Sequence, residues 1–567
     1  MNGTIENSAT IPTSSHNIYS IETAKREFLN FPKPTLDTED DNSPFLKQCW
    51  DNFKRFLGFV GPGYLIAVGY FDPGNWATDL QGGSQFGYSL LFVVLISNFM
   101  AMLLQSLAIK LGIVTGMDLA QACRYAFPRW GNYILYVLCE LAIIACDLAE
   151  VIGSAIALNL LFKIPLPWGV TITACDVMIV LLIYKDNSMK AARILEGLVM
   201  FLVAAVGICF VSELIYSKPD STMVLKGYLP SSGIFTDSEQ LYIAIGIIGA
   251  TVMPHNLYLH SHLVKVRKYR DQAKLTEEWH EALEAGNVKR SSSKRLLQEC
   301  VRRVMKLSIC DSTIALAFAL FVNSSILIVA AANFYYTSND VEVADLFDAY
   351  DLLCKYLGQV AGFLFGLALL IAGQSSTLTG TMAGQVVMEG FLGLKLRPWL
   401  RRLVTRGLAI IPALTIAIIK GGSGLNSMLV ASQVALSLQL PFAVIPLVYF
   451  TSSKKIMKID SQTFYQKNDN VTETEKSSSP DNEKNNPSSL DNDKNNPSSL
   501  DNDNSNPIIT PSTNIETASS ILSEQSQFID FSNPLWLIIT ASVVSFIIVG
   551  LDLYLVFSTV RDIIRGD

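Results

Sequence analysis

"AVGYFDPGNWATDL", residues 67–80, decides how this chain has to be read. It continues an apolar run that opens near Leu57, and the two together are long enough to cross a membrane. Yet Asp72, Pro73, Gly74 and Asn75 fall where a spanning helix should be closing its hydrogen bonds. Proline removes a backbone donor and clashes with the preceding turn, which frees carbonyls on its N-terminal side. In hydrocarbon, freed groups are tolerated only where protein or a polar cavity surrounds them. The stretch is therefore either a kink or one wall of a polar site.

Working outward, the chain has 567 residues, half of them hydrophobic and only 16% charged. Soluble domains carry about 25% charged residues. Eleven apolar segments near the ~20 residues of a spanning helix follow one another. They lie near 55–86, 88–111, 132–162, 167–184, 193–216, 237–267, 304–334, 353–390, 401–420, 425–450 and 534–559. An all-α polytopic membrane protein is expected, with the bilayer as its surroundings.

Lysine and arginine orient it, because connections on the cytoplasmic side are rich in them. Alternate connections carry Arg124 and Arg129, then Lys185, Lys190 and Arg193, then a dense run from Lys265 to Arg303. Lys395, Arg397, Arg401 and Arg402 follow, and finally Lys454, Lys455 and Lys458. The opposite connections are poor in both, and one, "SNDVEVADLFDAY" at 338–350, is acidic. The N-terminus is expected to be cytoplasmic and the C-terminus extracytoplasmic.

Residues 1–50 are polar and lack a signal-peptide pattern, and read as a disordered cytoplasmic tail. Residues 451–532 are rich in Ser, Asn and Asp and repeat "NNPSSLDND" from Asn485. Such composition cannot bury a core and reads as a disordered cytoplasmic loop. Cys139, Cys146, Cys175, Cys209 and Cys310 lie in apolar segments without metal-ligand spacing, and read as small buried hydrophobes.

A second break stands in "IGATVMPHNLYLHSHL", residues 248–263, where Pro254 falls midway along the sixth segment as Pro73 and Gly74 fall along the first. Matching breaks five spans apart point to two inverted repeats with a midplane site between them. The first repeat would cover 51–220 and the second 235–450, the latter carrying a basic cytoplasmic loop at 268–303. Segment eleven, at 533–560, would be an addition, with a short tail at 561–567. The carboxylate of Asp72, the amide oxygen of Asn75 and a freed carbonyl such as that of Ala250 suit a hard or borderline cation. The thioether of Met253 is a soft ligand that calcium and magnesium do not favour, so the mixture suggests a divalent transition metal such as Mn²⁺ or Fe²⁺. A plain packing role for the methionine stays open at this point.

"DPGN" at 72–75 and "MPHNLYLHS" at 253–261 resemble the broken helices of the Nramp family, the natural resistance-associated macrophage proteins. "DLAEVIGSAIAL" at 147–158 and "GQSSTLTGTMAGQVVMEGF" at 373–391 resemble that family too. The resemblance covers residues 50 to 450. It implies a LeuT-like fold of five-plus-five inverted repeats and one extra helix, with helices one and six broken. It also implies proton-coupled uptake of divalent metals into the cytoplasm. The family's metal ligands would fall on Asp72, Asn75, the carbonyl of Ala250 and Met253, joined in some states by Gln433. Its proton route would fall on Asp147, Glu150, His255 and, in "LVTRGLAI", Arg406.

Independently of that, Asp147 and Glu150 are three apart and so share a helix face. Ionisable groups at membrane depth usually mark a pathway, although a buried packing network of Asp147, Glu150 and Arg406 remains the alternative. His260 and His262 read as exposed or capping residues outside the site. No nucleotide-binding motif appears, so neither ATP-driven transport nor an enzyme is expected. The expected function is a secondary transporter. Its substrates would be protons and Mn²⁺ or Fe²⁺, with Co²⁺, Cd²⁺ and Zn²⁺ in the same class, and no cofactor would be held permanently. A receptor that keeps the fold and an amino-acid symporter are the competing classes. No nucleic-acid partner is expected, and the plasma membrane and an endosomal or vacuolar membrane are both compatible.

Overall fold

The structure, a computed structural model, describes residues 68–173, 214–265, 290–336, 345–394, 398–460 and 528–565, with a few single positions between 201 and 212. Expectations that fall elsewhere, including the N-terminal tail, most of segments four and five, and the body of the late loop, lie outside the described residues. Among the described residues, eight helices are long and apolar enough to cross a membrane. The all-α class expected from the sequence is the class observed.

The first segment is interrupted where the sequence demands it. A 3-10 turn over Val68–Phe71 stops at Asp72, and helix α1 resumes over Pro73–Phe86. Asp72 holds an extended backbone, φ −68° and ψ 159°, and accepts from the amides of Gly74 and Asn75 as the cap of α1. Pro73 takes the first helical position, where its missing N–H is no loss. Helix α2 (Leu91–Thr115) follows, then a short α3 (Leu119–Ala126) whose Asp118 and Gln121 form a reciprocal capping box. Helix α4 (Arg129–Phe162) is the third segment.

The sixth segment breaks as well. Helix α5 (Ser238–Val252) ends at Met253, whose φ of 44° is rare outside glycine, and helix α6 runs over 254–265. A left-handed methionine stores on the order of 1–3 kcal/mol of strain, which persists only where the surroundings fix it. Helix α7 spans Arg290–Ala330 and closes in a π-helical turn, Ala331–Tyr335.

Three boundaries differ from the sequence reading. The acidic stretch read as a connection already enters helix α8 (Leu346–Leu357), started by Asp345 and Asp348 as a capping box, while 337–344 lie outside the described residues. The eighth segment is thus split at Gly358, φ +88°, from α9 (Gln359–Leu392). After α10 (Pro398–Ile419), segment ten divides into α11 (Gly421–Gln439) and α12 (Pro441–Ser452), because Pro441 cannot donate. Lastly, the ends of the stretch read as a 451–532 loop are ordered. Strand β1 (Lys458–Asp460) pairs antiparallel with β2 (Phe528–Asp530). Helix α13 (Leu535–Arg565) then closes the chain.

Helix α1 packs against α5, α7 and α11, while α4 packs against α9, α10 and α11. The two breaks therefore face a common interior. Gly153 permits this on the α4 side, since a Cβ there would run into the Pro73 ring.

Candidate metal site

The two breaks meet through one side chain. Asn75 Nδ2 donates to Asp72 Oδ1 at 2.6 Å and to the carbonyl of Ala250 at 3.0 Å. Pro254 explains why that carbonyl is available, because Ala250 lies four residues earlier, where an amide N–H would otherwise bind it. Two oxygens from separate half-helices thus aim at a single donor, which is how oxygen ligands are arranged around a cation. Turning the Asn75 amide over would direct its oxygen to the same point. Its present Oδ1 accepts from Asn323 Nδ2 of α7 at 3.5 Å. The C-terminal end of α5 adds partial negative charge there.

Gln433 and Met253 complete the group. A Cβ on Gly74 would collide with the Gln433 carboxamide and lie 2.7 Å from Asp72 Oδ2, so the glutamine sits against the first break. Its Oε1 is buried with no hydrogen-bond partner among the described residues. Met253 is the residue at the second break, three positions after Ala250, and its sulfur accepts from Asn256 Nδ2 at 3.3 Å. Asp72, Asn75, Ala250, Met253 and Gln433 are each no more than 1% exposed. Among the described residues no group of three or more His, Cys, Asp and Glu could hold a metal, so this mixed set is the candidate. The structure brings Asp72, Asn75, the Ala250 carbonyl and Gln433 together, and leaves Met253 at the second break with its sulfur against Asn256.

The carboxylates of α4 form a separate network. Arg402 of α10 donates through Nη1 to Asp147 Oδ1, and through Nη2 to Glu150 Oε2 at 3.1 Å. Arg406, one turn on, reaches Glu150 Oε2 at 3.2 Å and the Asp147 carbonyl at 3.3 Å. Ser376 and Thr377 of α9 donate to the two Glu150 oxygens at 2.8 and 2.7 Å. Arg401 pairs with Glu140 at 2.6 Å, two turns earlier on α4.

Arg401 and Arg402 had been expected among the basic residues of a connection, but they are 6% and 0% exposed. Their carboxylate partners on α4 draw them in, and the sequence signal is the set of three acids Glu140, Asp147 and Glu150. His255 is buried, with Nδ1 unpartnered among the described residues.

The later histidines divide. His260, expected exposed or capping, is 1% exposed, and its Nδ1 meets Gln105 Oε1 at 2.7 Å. Gln105 in turn donates to the Tyr70 hydroxyl at 2.7 Å, joining the far halves of both broken segments through α2. His262 contacts Asp118 at 3.1 Å, beside Lys265 at 2.8 Å. Burial alone would push Asp118 up, but the His262 hydrogen bond and the Lys265 charge hold it below the usual carboxylate value. Of the cysteines singled out, Cys139 and Cys146 are buried as expected and Cys310 is exposed, while Cys175 and Cys209 lie outside the described residues.

Several known proteins are similar to this chain. A divalent metal cation transporter MntH of Nostoc is 55% identical over 406 residues, 71% of this chain and 85% of that protein. One from Listeria innocua is 52% identical over 425 residues, covering 75% and 88% respectively. A manganese transporter of Eremococcus coleocola superposes with a TM-score of 0.65 at 33% identity, covering 90% of this chain and 88% of its own. The model of the natural resistance-associated macrophage protein-like family, Nramp, matches residues 63–467. Two broken helices, their facing polar breaks and these likenesses identify the chain as an integral membrane protein of the Nramp family, with its LeuT-like fold.

Proposed function

We propose that this chain imports divalent transition-metal ions into the cytoplasm by proton symport through alternating access. The observation that carries the reading is the convergence of Asp72, Asn75 and the Ala250 carbonyl on one point, with Met253 and Gln433 beside it. An oxygen-rich set with one thioether selects Mn²⁺, Fe²⁺, Co²⁺ or Cd²⁺ over calcium and magnesium, which take oxygen ligands. The similar proteins named for divalent metal and manganese transport support the same substrate class.

Charge balance supports the proton half. A divalent ion held by a single carboxylate leaves the pocket positively charged. Proton movement through neighbouring carboxylates offsets such a change at membrane depth, where isolated charge is expensive. Asp147 and Glu150 stand on the helix whose Gly153 touches Pro73, within two turns of the break. Asp72, Asn75, Ala250, Met253 and Gln433 are assigned to the metal. Asp147, Glu150, His255 and Arg406 are assigned to the proton route, with Arg402 added. The same alternation of basic connections favours a cytoplasmic N-terminus.

The test is accumulation of radiolabelled manganese in proteoliposomes with an imposed pH gradient, read together with lumenal acidification. Wild-type protein is expected to accumulate metal and protons together, and Asp72→Ala neither. Wild-type vesicles that take up no manganese under any gradient would overturn the reading.

A further inference from the structure

Asp552 is a buried carboxylate that the metal and proton assignments leave unused. It lies on α13, the segment outside the two repeats, and is 5% exposed. Its Oδ1 accepts from the Ser437 hydroxyl of α11 at 3.0 Å, and its Oδ2 has no partner among the described residues. An acid on a lipid-facing helix is costly unless it serves the interior it points to.

Ser437 occupies a distinctive place. It lies four residues before Pro441, so its carbonyl loses the donor that would continue the helix. That carbonyl accepts from the Leu440 amide at 2.8 Å, and segment ten turns there from α11 into α12. Ser437 is therefore the residue in the last turn of α11 whose carbonyl the proline frees. It also lies one turn after Gln433, on the face that packs on α5. A Cβ on Gly249 would run into the Gln433 carbonyl and come 2.7 Å from the Ser437 amide. Gly249 directly precedes Ala250, whose carbonyl is one of the converging oxygens. One turn of α11 thus carries Gln433 into the site at one end and is tied to Asp552 at the other.

From this we infer that Asp552 is a positioning residue of the transport site: through Ser437 it pins the hinge of segment ten, and so fixes Gln433 against Asp72 and Ala250. Segment eleven is on this view part of the site's support. The inference rests on the metal-transport reading above, and the experiment separates the two because wild-type uptake is measured alongside every variant.

The experiment compares Asp552→Leu, Asp552→Asn, Ser437→Ala and the Asp552→Leu/Ser437→Ala double variant in proteoliposomes at matched reconstitution, reading KM and maximal rate for manganese uptake. Asp552→Leu and Ser437→Ala should each raise KM several-fold with a smaller change in maximal rate. The double variant should be no worse than the poorer single one, as expected for partners in one interaction. Asp552→Asn keeps an acceptor for the serine hydroxyl and should return KM close to wild type. Unchanged KM in both single variants, or additive effects in the double, would overturn the inference. So would an Asp552→Asn variant as impaired as Asp552→Leu, since charge rather than anchoring would then matter. If Asp552→Leu fails to reach the membrane, Ser437→Ala against Ser437→Thr carries the same comparison, with threonine expected to behave as wild type. Wild-type protein without manganese uptake would instead sink the transport reading.

Discussion

Two buried polar regions lie one helix apart and treat charge in opposite ways. At the breaks, Asp72 is the carboxylate among neutral ligands, and its partners are amides rather than a cation. Between α4 and α10, Asp147 and Glu150 face two guanidiniums and two hydroxyls. Among the described residues the negative charge of the first region is answered by dipoles, and so favours a mobile cation. The second pairs its acids with guanidiniums and hydroxyls, leaving Asp147 Oδ2 as the carboxylate oxygen without a partner among the described residues. Buried acids in one bundle can thus be left open to a cation or paired with guanidiniums that hold them in place, according to which helix faces them.

Removing Asp72 should give the largest effect. Asp72→Ala is expected to lower manganese uptake by more than the roughly 10–100-fold typical of supporting residues around a metal. Loss of the α1 cap costs only about 1 kcal/mol, so the protein should still insert and unfold cooperatively. A folded but inactive variant, judged by uptake and thermal melting together, keeps the two regions distinct.

Arg402→Ala should do the reverse, striking stability first. It leaves buried carboxylates without their shared guanidinium, and unpairing buried ions costs about 3–5 kcal/mol. A clear fall in Tm in detergent is expected, only partly restored by lysine, which lacks the planar fork. An unchanged Tm would show that these ion pairs do not hold α4 and α10 together.

Glu150→Gln sharpens the boundary further. Glutamine keeps an oxygen for the Ser376 or Thr377 hydroxyl while losing the charge. Metal uptake should persist at a reduced rate, with its stimulation by an inward proton gradient flattened. A variant that retains the full pH response would return the network to a purely structural role.

The smallest effect should come from Met253→Ala. Loss of the sulfur is expected to weaken cadmium competition roughly tenfold, about 1.4 kcal/mol, while manganese uptake falls less. Equal loss for both ions would assign Met253 to packing at the break.

Much of the site was legible because proline acts locally. Pro73 and Pro254 dictate where the backbone opens, and Pro254 names Ala250 as the released carbonyl four residues earlier. Asp72 and Asn75 follow from adjacency to the break, and Asp147 with Glu150 from helical spacing. The arginine partner was harder. Arg402 stands in a basic run that satisfies the orientation rule, and nothing local separates a headgroup-facing arginine from one drawn inward. Only the facing acids of α4 make the difference, and they lie about 250 positions away in the chain.

By itself, the sequence determined the broken helices, the chemistry of the atoms they expose, and the family. These follow from backbone valence and side-chain type, which are properties of a residue and its near neighbours. Tertiary packing added that Asn75 bridges Asp72 to the Ala250 carbonyl, that Arg402 joins Arg406 at the α4 acids, and that Ser437 meets Asp552 of the last helix. Those are pairings across the bundle, fixed by how helices pack, and no window along the chain contains both partners.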